Sequence, residues 1–369
     1  MQDRLRALDA EALRLLAEQE IGGDDQRRCA FEAAYDNKFA NAFPLALAPD
    51  ESRRFNRFEF SVAIARKMGL PIPLILPYVG TTIKAEGGSP RVLVDPFGNG
   101  ITTATGVKGG HVTIMHNAIV HESMCAVKSS GSVPVKGTHM HDTCNGIFGK
   151  CLRSGQLLSD SDEKRLQKNL QKLIPDGVVY ASNVFADEPF AHPTNRIFGK
   201  NHLAEVKTFT GKGKGAPDAR ARKFQLDIVG RAKKLDLEFP GSTFEKTLRA
   251  YGDDGQYLVL VAGPFSNLSS DFGVLVDFLA RVRAVRLLNT WETKPGQALA
   301  LNRQILVHKF GHLVTLLWAR LILGRFYDAV SRIPFQSTSG TPGFTESDDA
   351  FNFINLNQGG YRGRNVPGA

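Results

Sequence analysis

Apolar residues recur along this chain with two distinct periods, and the periods divide it into elements. Leu5, Leu8, Ala12 and Leu15 fall at helical spacing, which predicts an amphipathic helix over residues 3–20 that stops before Gly22-Gly23. Further helices are predicted over 25–40 and 55–68, the second ending at Gly69-Leu70-Pro71. Residues 71–110 are rich in Gly, Pro and Thr and read as turns with short strands, one of them over 91–94. A helix is predicted over 112–129, a short apolar run over 132–136 and a polar helix over 162–173. Residues 178–182 are β-branched and aromatic, hence a strand. Across 203–209, Leu203, Glu205, Lys207 and Phe209 share one parity, and Ala204, Val206 and Thr208 the other. Pro217 opens a long basic helix to about residue 237, and Tyr257–Ala262 is an unbroken apolar run of strand length. Asp271 is expected to cap a helix in which Val274, Leu275, Phe278, Leu279 and Val282 form one face. An apolar helix or helix pair fills 296–330, and residues 331–369 read as a tail.

The central order is helix, strand, strand, strand, helix, strand, which argues for an α/β sheet covered by helices. Residues 1–64 read as a helical accessory segment, 65–330 as the main domain and 331–369 as a flexible tail. With 369 residues, 42% hydrophobic and 22% charged, the chain can bury a sizeable core and is not wholly disordered. Four scattered cysteines exclude a disulfide scaffold and point to a reducing compartment. The longest apolar stretches are 313–323, interrupted by Arg320, and 70–79, broken by three prolines. Neither reaches the length of a bilayer span, so the expectation is a soluble intracellular protein with no membrane partner.

Charge changes the picture more than composition does. The formal net charge is +9, yet residues 1–60 carry nine basic and twelve acidic side chains. Between Glu205 and Lys234 nine basic residues, Lys207, Lys212, Lys214, Arg220, Arg222, Lys223, Arg231, Lys233 and Lys234, face three acidic ones. A concentrated basic stretch suits a polyphosphate partner, because neutralising phosphates releases condensed counterions; a solvated helix face would look the same in sequence.

Beside that stretch sit Pro175-Asp176 at the start of one strand and Glu205-Val206-Lys207 on the next. Glu205 and Lys207 are two apart, so both side chains leave the same face. Asp176 reaches that edge if the two strands are neighbours. Two carboxylates are hard ligands suited to Mg²⁺ or Mn²⁺, and a lysine beside them can orient or deprotonate a metal-activated water. A structural use is open as well: Asp176 capping a turn, and Glu205 with Lys207 as an exposed pair.

These residues resemble the Pro-Asp … Glu-x-Lys signature of the PD-(D/E)XK nucleases, which share the restriction-endonuclease-like fold. The nearest resemblance is to the endonuclease-like domain of some non-LTR retrotransposons and its stand-alone relatives. Met68-Gly69-Leu70-Pro71 is similar to that family's Leu-Gly-Leu-Pro. Val94-Asp95-Pro96-Phe97-Gly98, Gly109-Gly110-His111 and Met115-His116-Asn117-Ala118-Ile119 resemble its Asp-x-x-Gly … Arg-His-Asn/Asp element. Gly263-Pro264-Phe265 and Phe272-Gly273 resemble its closing strand, turn and helix.

The resemblance covers roughly residues 65–325. It implies an α/β restriction-endonuclease-like core of order αβββαβ and metal-dependent hydrolysis of DNA by a protein of mobile-element origin, which suggests the nucleus. It implies Asp176 and Glu205 as Mg²⁺ (or Mn²⁺) ligands, with Glu122 the candidate for an upstream helix glutamate completing the metal site. Lys207 would position the attacking water, and Gln225 and Arg222 would contact the phosphate or orient the lysine. Lys212, Lys214, Arg220, Arg222 and Lys223 would hold nucleic acid. The residues do not choose between DNA and RNA and set no oligomeric state. Two other classes stay open: a nucleic-acid-binding protein with catalysis lost, and a structural protein that packages nucleic acid.

The chain departs from the family in two places. Residues 77–106 contain neither cysteine nor histidine, so the zinc knuckle of relatives has no ligands here. The spacing from Asp176 to Glu205 is long, implying an insertion at 185–200. Other motifs read as structural. Tyr251-Gly252-Asp253-Asp254 spells a polymerase hairpin but follows a polar helix, with Gly252 as its terminating glycine. His121, Cys125, His139, His141, Cys144 and Cys151 match no common zinc spacing. His308 and His312 lack a zincin's glutamate, and Gly211–Gly215 lacks the spacing of a P-loop.

Overall fold

The computed structural model describes residues 25–40, 42, 53–83, 92–103, 110–130, 133–136, 148–152, 159–170, 172–173, 175–180, 202–208, 217–288 and 294–330. The helix expected over 3–20, the insertion at 185–200, the Gly211–Gly215 loop and the tail lie outside them. The described chain is mixed α/β and mostly helical. The elements before the sheet are α1 (Asp25–Asp36), α2 (Arg57–Lys67), β1 (Thr82–Ile83), β2 (Val92–Leu93), α3 (Asn99–Thr103) and α4 (His111–Ser129). Then follow β3 (Val133–Lys136), α5 (Asp160–Leu170), β4 (Gly177–Tyr180), β5 (His202–Thr208), α6 (Pro217–Glu238), α7 (Phe244–Asp253), β6 (Tyr257–Ala262), α8 (Ser270–Leu288) and α9 (Pro295–Val330).

β1 and β2 form a small antiparallel pair, and the main sheet has the order β3-β4-β5-β6. Its first three strands are antiparallel neighbours, while β5 and β6 run parallel, joined through α6 and α7. All six residues of β6 are buried, as are the first five of β5. Helices cover this parallel pair on both faces, which is why the sequence of β6 is apolar throughout and does not alternate. On one face Leu258, Leu260 and Val206 pack with α4, α8 and α9; on the other Leu203, Val259 and Val261 pack with α5, α6 and α7. The outer edge of β6 is closed by side chains: Asp271 Oδ2 accepts Val259 N–H at 2.6 Å, and Ser269 Oγ accepts Val261 N–H at 3.0 Å. Asp271 therefore serves β6, and Asp218 takes the N–H of Ser270 at 2.6 Å.

The apolar run over 296–330 is one continuous helix, not a pair. It is long and apolar enough to cross a membrane, which the two shorter stretches marked in the sequence were not, but 78% of its apolar window is buried inside the protein. It serves as the central core helix. Gly311 makes one of its contacts possible, because a Cβ there would lie 2.3 Å from Phe39 O. Phe39 in turn packs edge-on against Phe272, so the segment after α1 joins the main core. α2 is held at its start by a capping box between Asn56 and Glu59, and Arg320 Nε donates to Glu59 Oε1 at 2.8 Å.

Asp95 caps the turn into α3, accepting from Phe97, Asn99 and Gly100 N–H groups, and Gly98 supplies the left-handed residue at φ 70°. Arg66 sits behind that turn, donating to Phe97 O, Asn99 Oδ1 and Pro264 O and stacking 5.0 Å from the Phe265 ring centroid. Burial depresses its pKa to about 10, with the charge of Asp95 opposing. The Asp-x-x-Gly and Gly-Pro-Phe stretches thus meet at one buried guanidinium and organise the fold. Tyr251-Gly252-Asp253 closes α7 as helix; the left-handed terminating glycine is Gly255, at φ 67°, and not Gly252.

Candidate functional site

The site lies where β4 and β5 part. Gly177 is the last β4 residue in register with β5, opposite Ala204, and one step further Asp176 comes to Glu205. Side chains continue the ladder there. Val206 N–H donates to Asp176 Oδ2 at 2.7 Å, and Asp176 N–H donates to Glu205 Oε2 at 3.1 Å. Two residues along β5, Lys207 Nζ forms an ion pair with Glu205 Oε1 and lies 4.6 Å from the Phe224 ring centroid on α6. From α4, the His116 ring brings Nε2 to 3.2 Å from Asp176 Oδ2 and 3.0 Å from Val206 O. Its Nδ1 is 3.2 Å from Asn117 Oδ1.

Exposure is graded across the group: the Glu205 side chain is 6% exposed and Lys207 35%. Asp176 and His116 lie between, at 22% and 25%. Burial raises the Glu205 pKa above the ordinary carboxylate range, the charge of Asp176 adds to this, and Lys207 opposes it. The hydrogen bond to Asp176 raises the pKa of His116, against the effect of its partial burial. Tyr257, next to them on β6, has its phenol pushed well up by burial and then by the charges of Glu205 and Asp176. Its hydroxyl is buried without a hydrogen-bond partner. Two carboxylates are thus crowded at a low-dielectric edge, each making ionisation of the other costlier, with Lys207 and His116 as local counter-charges.

That donor set suits a small divalent cation. Asp176 Oδ1 makes no hydrogen bond to the described residues, Val206 offers a backbone carbonyl beside it, and the paired carboxylates lack full compensation. Among the described residues no three His, Cys, Asp or Glu side chains form a ready cage. The reason here is that both Glu205 oxygens are turned to Lys207 and to Asp176 N–H.

Asp176, Glu205 and Lys207, separated by up to 31 positions in sequence, therefore meet. Glu122 does not join them. It is buried on a different face of α4, with Arg53 Nη2 at 2.5 Å and Lys309 Nζ at 3.4 Å, so its charge is used to tie α4 to α9 and to residue 53. Gln225 Nε2 donates to Tyr257 O at 3.1 Å and fastens α6 to β6; its neighbour Phe224 is the residue that meets Lys207. Arg220, Arg222 and Lys223 are exposed on α6, while Lys212 and Lys214 lie outside the described residues.

The remaining histidines and cysteines are structural or apart. His312 Nε2 donates to Arg53 O at 2.7 Å and packs on Phe55. His121 and Cys125 form an exposed one-turn pair at 3.5 Å, and Cys151 is buried beside Thr247. His139, His141 and Cys144 lie outside the described residues.

His116 and Phe224 are the residues that sequence reasoning gave no role. His116 was visible as the middle of Met115-His116-Asn117, but nothing in a helix's own period says which turn meets a strand carbonyl. Comparison with protein-family models, with curated proteins and with solved structures yields no match to this chain.

Proposed function

We propose that this chain hydrolyses phosphodiester bonds of nucleic acid, with DNA as the substrate, on a restriction-endonuclease-like core. The observation that supports the reading is the meeting of Asp176, Glu205 and Lys207 at one strand edge, with α6 presenting Arg220, Arg222 and Lys223 to solvent immediately afterwards. Asp176 and Glu205 would hold Mg²⁺ or Mn²⁺. Such an ion, when bound, polarises the scissile phosphate and acidifies a water. Lys207, braced by Glu205 and the Phe224 face, stands at the solvent side, where its ammonium can orient the attacking water and offset charge gathering on the phosphate. The exposed cations of α6 would take the flanking backbone phosphates without reading bases.

The test is plasmid nicking by purified protein with Mg²⁺ or Mn²⁺, beside EDTA, Asp176→Ala and Lys207→Met. The expected result is metal-dependent nicking that both substitutions abolish while salt-sensitive DNA binding persists. One observation favours a second reading, a nucleic-acid-binding protein without catalysis: Glu205 is closed off by Lys207 and Asp176 N–H. Binding without nicking in either metal would decide for it, and neither binding nor nicking would sink both.

A further inference from the structure

The contacts of His116 exceed what a structural histidine needs. Nε2 faces two oxygens with no proton to give, Val206 O at 3.0 Å and Asp176 Oδ2 at 3.2 Å. Two donors bound at right angles to one ion, at the ~2.1 Å of small divalent cations, are separated by about 3.0 Å. His116 Nε2 therefore stands at coordination-edge distance from a carboxylate oxygen and a backbone carbonyl that already lie together. The other ring nitrogen is prepared as well. Nδ1 lies 3.2 Å from Asn117 Oδ1, an acceptor for the Nδ1–H that a metal-bound imidazole must carry. α4 is held firmly enough to keep the ring in place: His111, at its first position, pairs with Asp328 of α9 at 2.7 Å.

Resting on the metal-centre reading above, we propose that His116 Nε2 is a direct ligand of the ion held by Asp176, sharing it with Val206 O. On binding, the Nε2 proton passes to solvent, its electron pair goes to the metal, and the remaining Nδ1–H is donated to Asn117 Oδ1. An imidazole nitrogen adds little for Mg²⁺, which prefers oxygen ligands and keeps its waters, and much for first-row transition ions. The site thereby selects Mn²⁺ or a similar ion over Mg²⁺.

The competing account of the same distances is an imidazolium that substitutes for a cation and must leave before a metal enters. The two predict opposite effects of removing the ring. The experiment is Mn²⁺ titration of the full chain by electron paramagnetic resonance, with pulsed detection of ¹⁴N coupling in the bound ion. Wild type, His116→Asn and Asp176→Asn are compared, with Mg²⁺ as competitor.

The expected result is one Mn²⁺ that shows directly bound nitrogen in the wild type and resists Mg²⁺. In His116→Asn the nitrogen signal disappears, affinity falls about 10- to 100-fold and Mg²⁺ competes more nearly as an equal. Asp176-dependent Mn²⁺ binding without nitrogen coupling overturns the ligand role and leaves the metal centre standing. Equal or tighter binding by His116→Asn does the same. No Asp176-dependent binding overturns both. The nitrogen signal is read in the wild type, so the outcome does not hang on the variant's folding.

Discussion

Replacing Asp271 with asparagine keeps an oxygen acceptor for the N–H of Val259 while removing a charge from the edge of β6. Burial raises the Asp271 carboxyl to about 6 from an ordinary 3.8, the Val259 N–H opposes the shift, and the charge of Asp218 adds to it. Below pH 3.8 the folded and unfolded chains both hold the proton and no penalty arises. Between 3.8 and about 6 the unfolded chain gives the proton up while the folded chain keeps it, so stability falls as pH rises. Above about 6 the full cost is present. Roughly two pKa units at about 1.4 kcal/mol each give about 3 kcal/mol.

Asp271 also lies in the first turn of α8, where the helix dipole returns about 0.3–1 kcal/mol to a negative charge. The net gain expected for Asp271→Asn at pH 7.5 is about 2 kcal/mol. For a domain of this size that corresponds to a melting midpoint about 4–8 °C higher. At pH 4 the linkage part of the gain shrinks to about a fifth. Thermal unfolding followed by circular dichroism at the two pH values is the assay. A variant that melts below wild type at pH 7.5, or by the same margin at both pH values, would refute the reasoning.

Two glycines make a paired prediction measured by the same melts. Gly311→Ala forces a Cβ to within 2.3 Å of Phe39 O and should cost about 1–3 kcal/mol. Gly230→Ala in α6 meets nothing within 4 Å and should stabilise by about 0.5–1 kcal/mol. If α6 tracks a nucleic-acid backbone, Arg222→Ala and Lys223→Ala should each lower the slope of log affinity against log salt by about 0.9 for each phosphate that is no longer neutralised. Fluorescence anisotropy across a salt series measures it, and an unchanged slope in the double variant would take α6 out of the interface.

Much of the architecture was legible in the chain because its causes are local. The apolar run Tyr257–Ala262 is β6 to the residue, and the helix predicted over 112–129 is α4 within one position. Pro217 opens α6 as its fixed φ requires. The errors were also local competitions that tertiary contacts decided. Asp271 had the sequence position of a helix cap, but the unpaired N–H of Val259 at an edge strand is the stronger demand. Gly252 looked like a helix stop, yet the helix runs on to Asp253 before Gly255 turns left-handed.

For the candidate site, the sequence by itself determined that Glu205 and Lys207 share a face, because a strand's period of two leaves no alternative. It determined the basic character of α6 in the same way, since charge needs no fold. Only the tertiary structure decided that Asp176 comes to Glu205, because that depends on β4 and β5 pairing in a register with Gly177 opposite Ala204. Only it decided between Glu122 and His116. Both are polar residues of one amphipathic helix, and the packing of α4 turns His116 to the strand carbonyl and Glu122 to Arg53 and Lys309. Periodicity fixes which residues of an element travel together; what they meet is set by long-range packing, which no local pattern encodes.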